Sequence, residues 1–236
     1  MEVQFAVAKI SKYASRESGD TLEMVERPHG GISLVLADGQ RSGKSAKAIS
    51  NVVARKAIQL LSEGVRDGAA ARAAHDYLYT YRGGKVSSTL NILSADARSK
   101  TFVISRNNDA PVIVYTRKKG LCLLDRPSRS VGVHQVTKPV ITEFPIEEGT
   151  IIVMFTDGLR HAGSMSGSNN YDPVATMADF VAAGETSPRV IADKLLADAL
   201  EMENGRPRDD ISILVASVLP DLGDRTRRLD VHLPLS

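Results

Sequence analysis

The 236-residue sequence predicts an α+β layered fold, on three observations. Strand-like runs follow one another through links of a few turn-forming residues, so sequential strands must pair antiparallel. Helical patterns come as two consecutive pairs instead of alternating singly with strands. No stretch carries the strand–helix–strand rhythm of a parallel sheet.

Taken in order, Val3, Phe5 and Val7 alternate with Gln4, Ala6 and Ala8, which predicts an opening strand. Thr21–Glu26 is a short strand, and Pro28-His29-Gly30-Gly31 turns the chain back into an apolar strand over Ile32–Ala37. Residues 43–63 form an amphipathic helix with Ile49, Val52, Val53, Ala57, Leu60 and Leu61 inward and Gly64 just past its end. A second helix is capped by Asp67, buries Ala70, Ala73, Ala74, Tyr77, Leu78 and Tyr81, and stops at Gly83-Gly84. From Ser87 to Phe144 the period becomes two: strands are expected over 89–93, 101–105, 112–116, 121–124 and 140–144, joined as a meander. Another strand, Ile151–Thr156, precedes a Gly/Ser/Asn-rich loop over 162–170 that reads as mobile. A helix then starts near Asp172-Pro173, and the next has Ser187 as cap, Pro188 first, and Ile191, Leu195, Ala199 and Met202 inward. Ile211–Val218 is the final core strand. Beyond Pro220 the tail carries Arg225, Arg227 and Arg228, and its Leu229–Leu235 stretch suits an added strand or a partner contact.

Composition narrows the function classes. With 42% hydrophobic residues the chain buries a sizeable core as one domain or two small ones. Thirty basic against 28 acidic residues leave +2, too balanced for nucleic acid or an anionic membrane as an obligate partner. A single cysteine, Cys122, excludes an intramolecular disulfide and a cysteine-based zinc cluster. The first eight residues are too acidic and too short in apolar length for a signal peptide, and no run approaches the ~18 apolar residues of a membrane span. These features predict a cytoplasmic protein.

Chemistry concentrates at strand ends. Asp38-Gly39 follows the Ile32 strand, Asp157-Gly158 follows the Ile151 strand, and Arg208-Asp209-Asp210 enters the last one. Asp20 stands beside Gly19 before the second strand. One Asp-Gly pair is an ordinary turn dipeptide. Two of them after core strands, with an Asp-Asp at a third, instead predict carboxylates from distant segments meeting around hard divalent cations. All-oxygen donors favour Mg²⁺ or Mn²⁺. Two such ions lower the pKa of an attacking water and clamp a phosphoryl group.

The ordered set Ser18-Gly19-Asp20, Leu36-Ala37-Asp38-Gly39, Phe155-Thr156-Asp157-Gly158 and Arg208-Asp209-Asp210-Ile211-Ser212 resembles the metal-dependent (PPM, type 2C) serine/threonine protein phosphatases. Within them it is most similar to the bacterial subgroup of the sporulation stage II protein E and stressosome phosphatases. The resemblance covers roughly residues 15–218. It implies a four-layer αββα sandwich, two antiparallel sheets flanked by paired helices, with residues 1–220 as catalytic domain and 221–236 as a tail. Two Mn²⁺ or Mg²⁺ ions are implied, with Asp38 bridging both, the Gly39 carbonyl on one, Asp157 and Asp209 on the other, and Asp20 as an early contact. Asp38, Asp157 and Asp209 are thereby the catalytic centre, with Asp210 beside it, Asp109 near a third-metal position, and Arg41 and Lys44 as nearby cations for phosphate. The resemblance further implies hydrolysis of phosphoserine or phosphothreonine on regulatory proteins, namely STAS-type stressosome or anti-sigma-antagonist partners. One departure is Gln40, where many members have a histidine proposed to protonate the leaving group; an amide is no acid near neutral pH.

Two rivals remain. Gly39-Gln40-Arg41-Ser42-Gly43-Lys44-Ser45 resembles a P-loop nucleotide hydrolase, but has three residues between its glycines where a phosphate cradle needs four. A catalytically weak phosphatase-like binding module is the other. The five histidines show no metal-ligand spacing, and Ser87-Ser88-Thr89 lacks the Gly-x-Ser-x-Gly elbow of a serine nucleophile.

Overall fold

The computed structural model describes residues 1–28, 30–164, 170–221 and 223–234. His29 and most of the expected mobile loop, residues 165–169, lie outside them. The elements run β1 (Glu2–Ile10), β2 (Asp20–Glu26), β3 (Ile32–Asp38), α1 (Gly43–Ser62), α2 (Asp67–Arg82), β4 (Leu90–Asp96), β5 (Thr101–Asn107), β6 (Val112–Thr116), β7 (Gly120–Leu124), β8 (Val140–Pro145), β9 (Ile151–Phe155), α3 (Asp157–His161), α4 (Pro173–Ala183), α5 (Pro188–Met202) and β10 (Ile211–Leu219).

Two five-stranded sheets result, ordered β1-β10-β9-β6-β7 and β2-β3-β4-β5-β8. Each strand pair in them is antiparallel. The P-loop rival fails on this point, since its strand would need a parallel neighbour across a helical crossover.

The four layers follow from side-chain alternation. In β3, Val35 and Ala37 pack with Ile49, Val53 and Leu61 of α1 and Ala70, Ala74 and Leu78 of α2, while Leu34 points to the other sheet. In β9, Ile152 and Met154 enter that inter-sheet core beside Leu93, Phe102 and Ile104, whereas Ile151, Val153 and Phe155 meet Met177 of α4 and Ile191, Leu195 and Ala199 of α5. Strands buried on both faces read as continuous apolar runs, which is why β3, β9 and β10 stood out in the sequence.

Several expectations shift. Asp67 is the first residue of α2 and Arg66 its cap; the Asp67 carboxylate is instead buried against Arg27 Nη1 at 2.8 Å and the Ser94 hydroxyl. The inward face of α2 is rotated: Ala71 and His75 are buried, while Tyr77 and Tyr81 stack on each other in solvent. The 89–144 strands are antiparallel but do not form one meander, because residues 108–111 carry the chain from one sheet to the other. Along the tail, residues 229–234 form no strand. Asp172 and Ser187 cap α4 and α5, accepting from Val174 N (2.9 Å) and Val190 N (3.4 Å). Among the described residues no helix is long and apolar enough to cross a membrane.

Candidate metal centre

The strand ends named by the sequence meet at one rim of the sandwich. Asp20 and Asp38 face each other across the β2–β3 ladder. The β9–β10 register, with Phe155 opposite Ile213, brings Asp157 beside the residues that enter β10. Asp38, Gly39, Gln40, Arg41, Asp157 and Asp209 line a hollow of about 320 Å³ together with Ser87, Ser88, Thr89 and Ser130.

Both Asp-Gly glycines are required by close packing, since neither has positive φ. A Cβ on Gly39 would sit 2.0 Å from the Ala46 carbonyl oxygen of α1, and one on Gly158 would sit 2.2 Å from the Asp210 carbonyl oxygen. The missing side chains let main chain seat directly behind each aspartate, that of α1 behind Asp38 and that leading into β10 behind Asp157. The Asp38 backbone is fixed as well: its carbonyl accepts from Thr89 N (2.8 Å) and Ser88 Oγ (2.7 Å), and its N–H donates to Thr89 Oγ1 (3.1 Å). Gln40 Oε1 accepts from Ser87 N at 3.1 Å, so this amide holds the hollow's wall.

Asp20 lies behind the hollow, 1% exposed. Its Oδ2 accepts from Ser212 Oγ (2.6 Å) and Thr156 Oγ1 (3.0 Å), while Oδ1 is buried with no donor. Burial pushes the Asp20 carboxyl up to about 6 against those two hydroxyls. Asp38 is pushed up to about 9, first by burial, then by the negative charges of Asp20, Asp157 and Asp209. A protonated Asp38 is within hydrogen-bonding reach of Asp20. Asp209 is raised by burial too, in part offset by the Asp210 N–H that donates to its Oδ1 at 2.9 Å. Asp20, Asp38 and Asp209, in poor contact with water, are all pushed toward the protonated form because too little else compensates their charge.

The cluster fits hard divalent cations. Its donors are all oxygen, one of them a buried acceptor with no partner, and cations in the hollow would replace the protons that the carboxyls now retain. Among the described residues no group of three or more carboxylate, imidazole or thiol side chains is arranged so as to hold a metal ion by itself. Mg²⁺-like ions use one or two carboxylates each and complete their shells with water.

The other candidates separate. Asp210 is buried, with Oδ1 accepting from Lys12 N (2.9 Å) and Oδ2 from Gly19 N (2.7 Å). Both oxygens are spent on anchoring the 12–19 loop. Arg41 lines the hollow in the left-handed conformation (φ 83°), whereas Lys44 and Asp109 are exposed and outside its lining. His161 Nδ1 stands 4.0 Å from Asp157 Oδ2, one turn along α3. Sequence reasoning missed Ser130 and the Thr156/Ser212 hydroxyls; nothing local marks the former, while the latter sit inside two of the acidic motifs.

Comparison with known proteins identifies the family. Residues 28–219 match the family profile described as Stage II sporulation protein E (SpoIIE). No individually curated protein matches by sequence. Among solved structures, the chain is similar to the PP2C phosphatase domain with a fragment of the regulatory domain of SpoIIE from Bacillus subtilis (TM-score 0.76, 18% identity, 92% of this chain and 63% of that one). The chain thus spans less than two thirds of that structure. It is also similar to the RsbU and RsbW domains of Rv1364c from Mycobacterium tuberculosis (TM-score 0.73, 20% identity, 92% and 60%). A third likeness is to the catalytic domain of the serine/threonine phosphatase PstP in complex with two manganese ions (TM-score 0.68, 16% identity, 92% and 99%). With four-fifths of its length matched and the αββα layers in place, the chain belongs to the SpoIIE family of PPM (PP2C-type) phosphatase domains.

Proposed function

We propose that this chain is a divalent-metal-dependent phosphatase that hydrolyses phosphoserine or phosphothreonine on regulatory proteins in the cytoplasm, with residues 1–220 as the catalytic unit and 221–236 as a tail. The observation that carries this reading is the meeting of Asp38, Asp157 and Asp209 in one hollow with charge that the protein leaves uncompensated. Asp38, the Gly39 carbonyl, Asp157 and Asp209 would hold two Mn²⁺ or Mg²⁺ ions, with Asp20 behind Asp38. When bound, such ions supply Lewis-acid polarisation of the phosphoryl oxygens and acidify a water.

The chain's own groups do the rest. Ser88 and Thr89 fix the Asp38 backbone, so the carboxyl is presented without reorganisation. Arg41 is the cation of the hollow wall and meets the phosphate's non-ester oxygens. Gln40 cannot deliver a proton, so the serine or threonine leaving group takes its proton from solvent. Similarity to SpoIIE and to a chain with RsbU and RsbW domains supports phosphorylated STAS-type regulators, of stressosome or anti-sigma-antagonist kind, as substrates.

The test is phosphate release from an aryl phosphate and from a phosphoserine peptide with Mn²⁺ or with EDTA, comparing wild type with Asp38→Asn. The expected result is turnover that needs the metal and falls at least about 100-fold in the variant, a loss of about 2.7 kcal/mol in transition-state stabilisation. Metal-independent turnover, or full activity in the variant, overturns the reading. Mn²⁺ binding without turnover would identify a phosphatase-like binding module.

A further inference from the structure

Beside the acidic hollow lies a larger groove of opposite charge. It measures about 740 Å³ and is lined by Lys12, Tyr13, Arg206 and Arg208, with Glu203 at its base. Glu203 is engaged through one oxygen: Oε1 accepts from Gly163 N at 2.7 Å, while Oε2, buried without a hydrogen-bond donor, faces Arg208 Nε at 3.6 Å. Among the described residues, Lys12 and Arg206 form no ion pair. The groove therefore presents two cations with no carboxylate within ion-pair distance.

Arg206 is held ready. Its guanidinium lies over the Tyr13 ring, 5.1 Å from the centroid, and Tyr13 N donates to the Pro207 carbonyl at 2.6 Å. Asn204 and Gly205, both left-handed (φ 52° and 71°), end α5 and turn the chain into this position. A planar guanidinium stacked on a ring keeps its N–H edge free and loses little freedom when a carboxylate docks there. The groove and the hollow are contiguous in the chain, because Arg208 lines one and Asp209 the other. Lys12 N is bonded to Asp210, and the Lys12 ammonium partly offsets the upward shift of Asp209.

We propose that this groove docks acidic side chains flanking the phosphorylated residue of a protein substrate, so that the enzyme prefers phosphosites in acidic sequence. The proposal rests on the phosphatase reading above and adds a substrate class to it. A basic groove adjoining the hollow draws an anionic polypeptide in and sets its register.

The experiment uses two phosphoserine peptides that differ only in their flanks, Asp/Glu in one and Ser/Asn in the other. Affinity is read by fluorescence anisotropy, and kcat and KM by phosphate release with Mn²⁺, for wild type, Arg206→Glu and Tyr13→Leu. Wild type should favour the acidic peptide by about tenfold in Kd and KM, the scale of two or three partly exposed charge pairs. Arg206→Glu should abolish that preference through KM and leave kcat on the acidic peptide within about twofold. Tyr13→Leu, which removes the stacking platform and no charge, should reduce the preference about threefold. Equal affinity of wild type for both peptides, or a preference that survives Arg206→Glu, overturns the groove while leaving the phosphatase reading intact. Arg206-dependent binding of the acidic peptide with no turnover of either peptide keeps the groove and defeats the phosphatase reading.

Discussion

Asp38→Asn should stabilise the metal-free protein, against the usual expectation for a change at a buried polar site. The substitution is isosteric, and the backbone contacts of residue 38 with Ser88 and Thr89 do not involve its side chain. In the folded chain the Asp38 carboxyl is pushed from 3.8 up to about 9, by burial first and then by Asp20, Asp157 and Asp209. At pH 7 the unfolded chain has released this proton and the folded chain has not. Holding it across roughly three pH units costs up to ~4 kcal/mol at ~1.4 kcal/mol per unit. Because Asp38 and Asp20 share the burden of their adjoining charges, part of that cost remains with Asp20, and the expected gain is about 1–3 kcal/mol. An asparagine amide can donate toward Asp20 as the protonated Asp38 carboxyl does, without a proton to hold. For a chain of this size the gain appears as a melting temperature about 3–10 °C higher in EDTA at pH 7. Mn²⁺ should then reverse the order, since a bound ion stabilises in proportion to RT ln(1 + [L]/Kd) and the variant lacks a central ligand. Melting curves of both proteins with EDTA and with Mn²⁺ decide it. A variant that melts lower in EDTA, or gains as much from Mn²⁺ as wild type, refutes the placement of Asp38 at the heart of the charge cluster.

Three further outcomes are expected. Asp38 (about 9) and Asp20 (about 6) both have folded values above the ordinary 3.8, so the stability tied to their protons is complete below about pH 4 and lost as pH rises through 6 and 9. Urea midpoints in EDTA should therefore fall between pH 5 and pH 9, and a flat or rising profile contradicts this. Arg106→Leu should cost about 3 kcal/mol in urea titrations, because the buried guanidinium donates to the carbonyls of Asn108 (2.7 Å), Ala110 (3.3 Å) and Arg126 where the chain crosses between sheets. A cost under 1 kcal/mol would show those carbonyls to be satisfied otherwise. Gly39→Ala and Gly158→Ala should each lose about 2–3 kcal/mol, since a Cβ meets main-chain oxygens at 2.0 and 2.2 Å; an unchanged melting temperature would show that helix and strand can slide apart there.

The layers were legible because the chemistry that writes them is local. Val35 and Ala37 facing one way and Leu34 the other are a period-two pattern, and the caps Asp172 and Ser187 are one-residue signals. The rotated face of α2 was less legible. Alanine, tyrosine and histidine straddle the boundary between apolar and polar, so Tyr77 and Tyr81 read as core although they stack on each other beside Lys56 and Arg82. The crossing between sheets at 108–111 was not legible at all. It depends on Arg106 reaching carbonyls up to 20 residues away, a contact that leaves no period behind.

Asp209 and Asp210 show how far a motif can carry an argument and where physics must take over. As a sequence they are two equivalent carboxylates before a core strand. In the fold they stand at its entry, where successive side chains diverge. Asp209 turns into the hollow, while Asp210 turns into the molecule and binds the N–H groups of Lys12 and Gly19. That second role reaches further than it first suggests. The loop anchored by Asp210 carries Lys12 and Tyr13 on its groove side and delivers Asp20 to the back of Asp38 on the other. The carboxylate that anchors the 12–19 loop is thus the one that fixes the basic groove and the acidic hollow relative to each other, and loosening it should disturb both at once.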